Sequence, residues 1–279
     1  YSVLEPFRDR FPDRFLNAGV AEQNMLGVAA GLALAGHTVF AYSLANFPTL
    51  RCFEQLRNDV AYHRLNVKVV AVGGGLAYGG HGFSHHAVED LGVVRLLPAM
   101  TVVAPGDSAE AAWATAALAA RPGPAYLRLG RGSETPIHPR AVAPARFGEP
   151  LVLRAGGDVV IASTGGTLTL AIAAADALAG EGISAGVVSI PVIVPFAAEA
   201  LFNLIRGSQS LVTVEDHGPG GLGSIVAESI ALRGLPVRLR CVRFGDVPVE
   251  VAGSPAYLSS RHGVDVPGIV AAARQLARP

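Results

Sequence analysis

From residue 15 onward the sequence alternates short apolar runs with segments of helix length, and this rhythm limits the possible folds more than any other feature. The runs at 39–42, 67–72, 101–104 and 125–129 lack the every-second-residue alternation of a half-exposed strand, so they predict strands covered on both faces. Helix patterns fill 22–35, 49–63, 87–96 and 108–119, the last opened by Asp107 before an alanine-rich run. Between 133 and 150 the periodicity stops and Pro136, Pro139, Pro144 and Pro150 accumulate, as in a linker. Beyond it strands are expected at 159–164, 185–190, 211–215 and 237–242, with a final helix at 266–277. The expected fold class is α/β, two doubly wound domains with mostly parallel sheets, over residues 1–132 and 151–279 with a linker at 133–150.

Charge and cysteine usage narrow the function. The chain has 279 residues, 22 basic and 22 acidic, with no block of either sign, so nucleic-acid and membrane-surface binding lack their electrostatic support. Cys52 and Cys241 form no CxxC or framework spacing, and the default setting is a reducing cytoplasm. The uncharged stretch 23–50 has the length of a membrane span, but Gly36-His37-Thr38 breaks it, a strand follows, and Pro48 closes it. It is therefore parsed as helix, turn, strand and helix start, with no membrane segment and no signal-type segment in front. Because residue 1 is Tyr rather than Met, loss of an N-terminal segment is expected.

Three groups of residues carry candidate chemistry. The stretch Asn17-Ala18-Gly19-Val20-Ala21-Glu22-Gln23-Asn24-Met25 sets one carboxylate at the start of a helix that is apolar on every face, suited to a core or a subunit contact. A carboxylate there loses water, which favours the protonated form unless a cation or hydrogen-bonding ligand compensates; the alternative is a glutamate that only complements the helix dipole. Phe47, Leu50, Phe53 and Leu56 follow at threefold spacing, which core packing explains equally well. His81, His85 and His86 suit proton transfer near neutrality, and with no cysteine or carboxylate at usable spacing to complete a zinc set, no metal site is assigned. Separately, 218–223 fits G-x-G-x-x-G after a predicted strand, the local context of a dinucleotide site, but it falls on the third strand of its set and reads as a tight turn.

Taken in order, these segments resemble the thiamine-diphosphate enzymes of the transketolase type. The pieces are Gly19-Val-Ala-Glu22-Gln-Asn, the Phe47 segment, Gly79-Gly-His-Gly-Phe-Ser-His85-His, Pro98-Ala-Met-Thr-Val-Val-Ala-Pro105, Gly123-Pro-Ala-Tyr-Leu-Arg-Leu-Gly-Arg131 and Val214-Glu-Asp-His-Gly-Pro-Gly-Gly-Leu-Gly223. The resemblance runs from about residue 11 to the end. It implies a pyrimidine-binding domain followed by a transketolase C-terminal domain, and transfer of a two-carbon ketol unit between small sugar or sugar-phosphate substrates. It also implies that Glu22 shares a proton with the aminopyrimidine of thiamine diphosphate, that Phe47 stacks on that ring, and that Phe53 and Leu50 line its pocket, Leu50 replacing a usual Phe. On the substrate side, His85 would bond the reacting oxygen and move protons, with His81, His86 and Arg131 around it. Arg131 matches a phosphate-binding arginine. His81 stands where relatives carry an aspartate, and Gly73 where they carry a phosphate-contacting histidine, so a standard pentose phosphate is not expected.

Half of the expected machinery is missing. The family holds the diphosphate and Mg2+ with a Gly-Asp-Gly segment and a later asparagine; here no Gly-Asp-Gly occurs, and after Asn66 only Asn203 remains. The resemblance therefore implies a partner, an N-terminal diphosphate-binding transketolase subunit that holds the Mg2+, in a hetero-oligomer with two copies of each chain. The apolar helix after Glu22 would contribute to the contact. Alternatives are the beta chain of a 2-oxoacid dehydrogenase, a deoxyxylulose-phosphate-synthase-like enzyme, a non-catalytic interaction subunit or an NAD-binding protein.

Overall fold

The strands assemble into two five-stranded sheets, each mostly parallel with one antiparallel edge, and the inner strands are the most deeply buried. The computed structural model describes residues 3–132, 136–139, 141–142, 144 and 146–277. Linker positions 133–135, 140, 143 and 145, and the terminal positions 1, 2, 278 and 279 of the expected domains, lie outside the described residues.

In the first half of the chain, α1 (Glu5–Arg10) and α2 (Glu22–Leu34) precede β1 (Val39–Leu44). A helical stretch follows in which α3 (Phe53–Gln55) is flanked by π-helical turns at Phe47–Arg51 and Leu56–Ala61. After it come β2 (Val67–Val72), α4 (Asp90–Val94), β3 (Thr101–Val103), α5 (Ser108–Ala120) and β4 (Ala125–Leu129). The second half contributes β5 (Leu151–Arg154), β6 (Val159–Ser163), α6 (Leu168–Ala179), β7 (Ala185–Ser189), β8 (Val192–Val194), α7 (Ala198–Leu204), β9 (Ser210–Val214), α8 (Leu222–Arg233), β10 (Arg238–Val242), α9 (Pro255–Arg261) and α10 (Val266–Ala277).

The strand orders are β1-β2-β4-β3-β8 and β10-β9-β6-β7-β5. Two strands escape the sequence pattern, and both are antiparallel edges: β5 on β7, and β8 on β3. Strand β8 has three residues between Pro191 and Pro195, too short to show a period. It belongs to the second half of the chain but completes the sheet of the first. The main core is likewise common property, running from Leu26, Leu56, Val69 and Leu91 through Val102 and Tyr126 to Val160, Val188, Ile193 and Leu222.

Helix α2 buries one face only, through Glu22, Leu26, Ala29 and Ala30. Gly27, Val28, Gly31, Leu32 and Leu34 remain exposed on the other side. The start of α5 is fixed as its sequence predicts: Asp107 Oδ1 accepts the Glu110 N–H at 2.9 Å, and its Oδ2 accepts the N–H groups of Ile137 and His138. The proline-rich segment is thereby pinned to the end of a helix. The helix expected at 87–96 begins only at Asp90, because Ala87 is held in a bridge to Gly75.

A buried cation joins the two halves. Arg128, on β4 and 3% exposed, donates from Nε to Asp90 Oδ2 at 2.9 Å and from Nη1 to Asp216 Oδ1 at 2.6 Å. Its Nη2 reaches the carbonyls of Ala87 and Asp216. Asp90 Oδ2 also accepts the Tyr126 hydroxyl at 2.6 Å. Although burial opposes the charge, the two carboxylates raise the Arg128 pKa further, so the guanidinium stays ionised. Gly74 is required beside it, because a Cβ there would lie 2.3 Å from Arg128 Nε. Replacement Arg128→Met leaves two carboxylates facing each other without a cation. It is expected to cost about 3–5 kcal/mol of stability in urea unfolding; a loss under about 1 kcal/mol would mean the network is no clamp.

Candidate active site

The carboxyl ends of β1, β2 and β4 open on one edge of the first sheet, where ligands of α/β proteins commonly bind. Asn46 and Phe47 leave the end of β1, the glycine run Gly73-Gly74-Gly75 and the histidine loop leave β2, and Arg131 lies just beyond β4. Glu22 joins them from the first turn of α2.

At one end, the Glu22 side chain is only 10% exposed, and its Oε2 accepts a hydrogen bond from Arg51 Nη1 at 2.7 Å. The same guanidinium lies over the Phe47 ring, with Cζ 4.7 Å from the ring centroid. The wider π turn Phe47–Arg51 puts the two residues on one side, and such turns recur at functional sites. Glu22 and Arg51 line a cleft of about 330 Å³ with Val20, Ala21, Gln23 and Asn24. Burial also pushes the nearby Cys52 thiol up to about 11, an inert side chain whose Sγ contacts the Phe47 carbonyl.

From Phe47 the site continues as a strip of rings. The His85 ring meets Phe47 edge-on at 5.4 Å between centroids, and the His81 ring lies 5.0 Å from that of His85. Tyr78 meets His81 edge-on at 5.8 Å, and the Arg131 guanidinium lies 5.2 Å over the Tyr78 ring. Asn46 Nδ2 donates to the Ser84 carbonyl, tying the histidine loop to the Phe47 segment. Ser84 Oγ lies 3.0 Å from His85 Nδ1.

Of the residues expected from sequence, the structure thus brings Glu22, Phe47, His85, His81 and Arg131 into one line of contacts. His86 stands apart: it is buried, and its Nε2 faces the Gly79 carbonyl. Phe53 packs on the main core, whereas Leu50 is 44% exposed, because the π turns break the threefold register read from the sequence. Arg51, Asn46 and Tyr78 were not anticipated. Only the four-residue step from Phe47 could have pointed to Arg51, since it places the two on neighbouring turns of a helix.

The family model "Transketolase, pyrimidine binding domain" matches residues 2–135, and "Transketolase, C-terminal domain" matches 148–269. The chain is 37% identical over 268 residues to an apulose-4-phosphate transketolase subunit of Actinobacillus succinogenes, covering 96% of this chain and 86% of that one. It belongs to the transketolase family. Another member, the 6-deoxy-6-sulfo-D-fructose transketolase subunit SqwH of a Clostridium species, is 38% identical over 276 residues, 99% of this chain and 85% of the relative. Among solved structures, a split-gene transketolase described as an inactive beta4 tetramer superposes with a TM-score of 0.89 at 38% identity, over 97% of this chain and 86% of that one. Membership makes the chain part of a transferase and accounts for both mostly parallel sheets.

In this transketolase relative the glycine-rich turn 218–223 is already filled by the protein itself. Glu215 accepts the N–H groups of Leu222 at 2.6 Å and Gly223 at 2.8 Å, so its carboxylate caps α8 where a dinucleotide phosphate would sit. A Cβ on Gly221 would lie 2.0 Å from Glu215 Oε2, which is why glycine stands there. The next residues lock onto the first half. His217 Nε2 accepts the Gly92 N–H and its Nδ1 faces the Gly218 carbonyl, an arrangement met by the neutral ring with its proton on Nδ1, and burial lowers the His217 pKa accordingly. Among the described residues, the group with metal-ligand geometry is not the histidine loop but Asp107, Glu110 and His138. Its atoms are committed to one another and to backbone: Glu110 Oε1 meets His138 Nε2 at 2.9 Å, and Oε2 accepts the Gly106 N–H.

Burial holds the Glu215 carboxyl at about 7, against the pull of its two N–H donors. The folded chain therefore binds a proton there that the unfolded chain releases. This contribution to stability is full below about 4.5 and is lost as pH rises through about 7. Thermal melts of the wild type and Glu215→Gln across that window should show the wild type losing stability with rising pH more steeply than the variant. Parallel curves would place Glu215 at an ordinary carboxylate value.

Proposed function

We propose that the chain is the C-terminal, pyrimidine-binding subunit of a split, thiamine-diphosphate-dependent transketolase that moves a two-carbon ketol unit between small sugar or sugar-phosphate substrates. The observation that carries this reading is the pairing of a buried carboxylate, Glu22, with an aromatic face, Phe47, around one planar nitrogen-bearing group, the Arg51 guanidinium. That pairing fits the aminopyrimidine of the cofactor, a planar ring with nitrogen along its edge. When bound, thiamine diphosphate supplies the nucleophilic carbon on which the ketol unit is carried.

The chain's own residues then have separate tasks. Glu22 holds and exchanges the proton at the pyrimidine ring nitrogen, and Phe47 fixes the ring plane by stacking. His85, with Nδ1 engaged by Ser84 Oγ, presents Nε2 to the substrate oxygen and moves its proton. His81 and Arg131 extend the strip toward the far end of the substrate. Arg131 suits an anionic terminus there, the class of sugar named in the apulose-4-phosphate and sulfofructose relatives.

A second polypeptide carries the diphosphate and Mg2+ sites in this reading, because the chain has no Gly-Asp-Gly segment. The surroundings of Glu22 support a protein cover. Leu16, Val20, Leu32 and Phe83 are exposed, Val20 to 96%, and the Gly27–Gly31 face of α2 offers close backbone approach. We assign these surfaces to an N-terminal transketolase subunit in a hetero-oligomer with two copies of each. No helix among the described residues is long and apolar enough to cross a membrane, and both cysteines are free, in keeping with a cytoplasmic enzyme.

Reconstitution with the N-terminal subunit, Mg2+ and thiamine diphosphate should give ketol transfer, and Glu22→Gln should lower kcat by roughly 10²–10⁴-fold. Full activity in that variant would remove Glu22 from the mechanism. Release of CO2 from pyruvate in place of ketol transfer would favour the beta chain of a 2-oxoacid dehydrogenase or a deoxyxylulose-phosphate-synthase-like enzyme.

A further inference from the structure

Arg51 makes both of the contacts that the proposed cofactor ring needs. Its Nη1 is 2.7 Å from Glu22 Oε2, and its Cζ is 4.7 Å from the Phe47 centroid. A guanidinium and an aminopyrimidine share the relevant chemistry: both are flat, both stack on an aromatic face, and both present an in-plane nitrogen that hydrogen-bonds a carboxyl oxygen. Two flat groups cannot lie on the same face of Phe47 and against the same carboxylate oxygen together. One must leave for the other to enter.

The structure also indicates which of the side chains gives way. The Glu22 side chain is 10% exposed and fixed in the first turn of α2, whereas the Arg51 side chain is 49% exposed. Arg51 stands in the wall of the cleft beside Glu22, where rotation of its long stem leads toward solvent.

We propose that Arg51 is a displaceable internal occupant of the aminopyrimidine place. Its guanidinium holds Phe47 and Glu22 in register in the chain by itself, and it swings out as the cofactor ring enters, so that Arg51 sets how readily this subunit takes up its cofactor. This inference rests on the assignment of Glu22 and Phe47 to thiamine diphosphate. It adds that the chain's own residue competes for the same two contacts. Arg51 also has a positioning role, since without it a mostly buried carboxylate lacks its cation.

Two probes test this without turnover. The chain alone is titrated with the aminopyrimidine alcohol cut from thiamine, and its complex with the N-terminal subunit is titrated with thiamine diphosphate and Mg2+, both by calorimetry. Arg51→Met keeps much of the stem and removes the planar N–H fork; Arg51→Ala removes both and guards against an effect peculiar to methionine. Each variant should bind both probes roughly tenfold more tightly than the wild type, the scale of one exposed ion pair plus one cation–π contact. In the wild type, the Arg51 guanidinium resonance, assigned by its loss in the variants, should shift on saturation with either probe. Unchanged or weaker binding in both variants, or an unmoved resonance at saturation, overturns the proposal. A purely structural arginine would lower the melting temperature of the variants without tightening either probe, which also overturns it. If neither wild type nor variants bind thiamine diphosphate in the complex, the cofactor assignment itself fails and this inference falls with it.

Discussion

The architecture depends on one desolvated guanidinium. Stripping Arg128 of water would be prohibitive if it faced apolar side chains, and it is tolerated because Asp90 and Asp216 meet two of its edges while carbonyl oxygens take the remainder. The three elements that supply these partners are the start of α4, the turn after β9 and the end of the bridge at Ala87. Each is thereby fixed relative to β4. Gly74 packs against the same side chain, so the loop that leads to the histidines starts from a rigid base. Arg131, three residues beyond Arg128, inherits that rigidity. The strip of rings at the sheet edge is thus mounted on a buried ion cluster.

Most of the sheet framework could be read directly from the sequence, because buried parallel strands announce themselves as short, mainly apolar runs without alternation. Val67–Val72 and Ala125–Leu129 are found with the expected limits. Strands β5 and β8 were illegible for a physical reason: an antiparallel edge of three or four residues lacks the length to show a period, and its identity is set by the neighbour it finds. The site divides in the same way. Glu22, Phe47 and the histidine loop stood out by type and order, but π turns are invisible in a residue pattern, so the Phe47 to Leu56 stripe suggested a common face that the backbone does not provide. Arg51 escaped because a surface arginine on a helix is ordinary until its two contacts are known.

The expectation attached to Glu22 was conditional, requiring a cation or a ligand to compensate its burial. The cation proves to be internal. In the split arrangement proposed above, a binding half would have to keep a desolvated carboxylate and an open aromatic face in place without their ligand. A side chain that imitates the ligand in shape and hydrogen bonding answers both needs. The glycine-rich turn at 218–223 is filled in a comparable manner, with the Glu215 carboxylate of the chain itself at the helix end where an anion might have been.

Strand β8 bears on how such a protein can be divided. Its three residues lie beyond the proline-rich segment yet form the outer edge of the first sheet, and the main core passes without interruption from one half to the other. Two family models describe the sequence, yet β8 and the shared core tie the stretches they cover to one another, so a cut at the prolines would leave β3 paired, across the cut, with a strand of the other fragment.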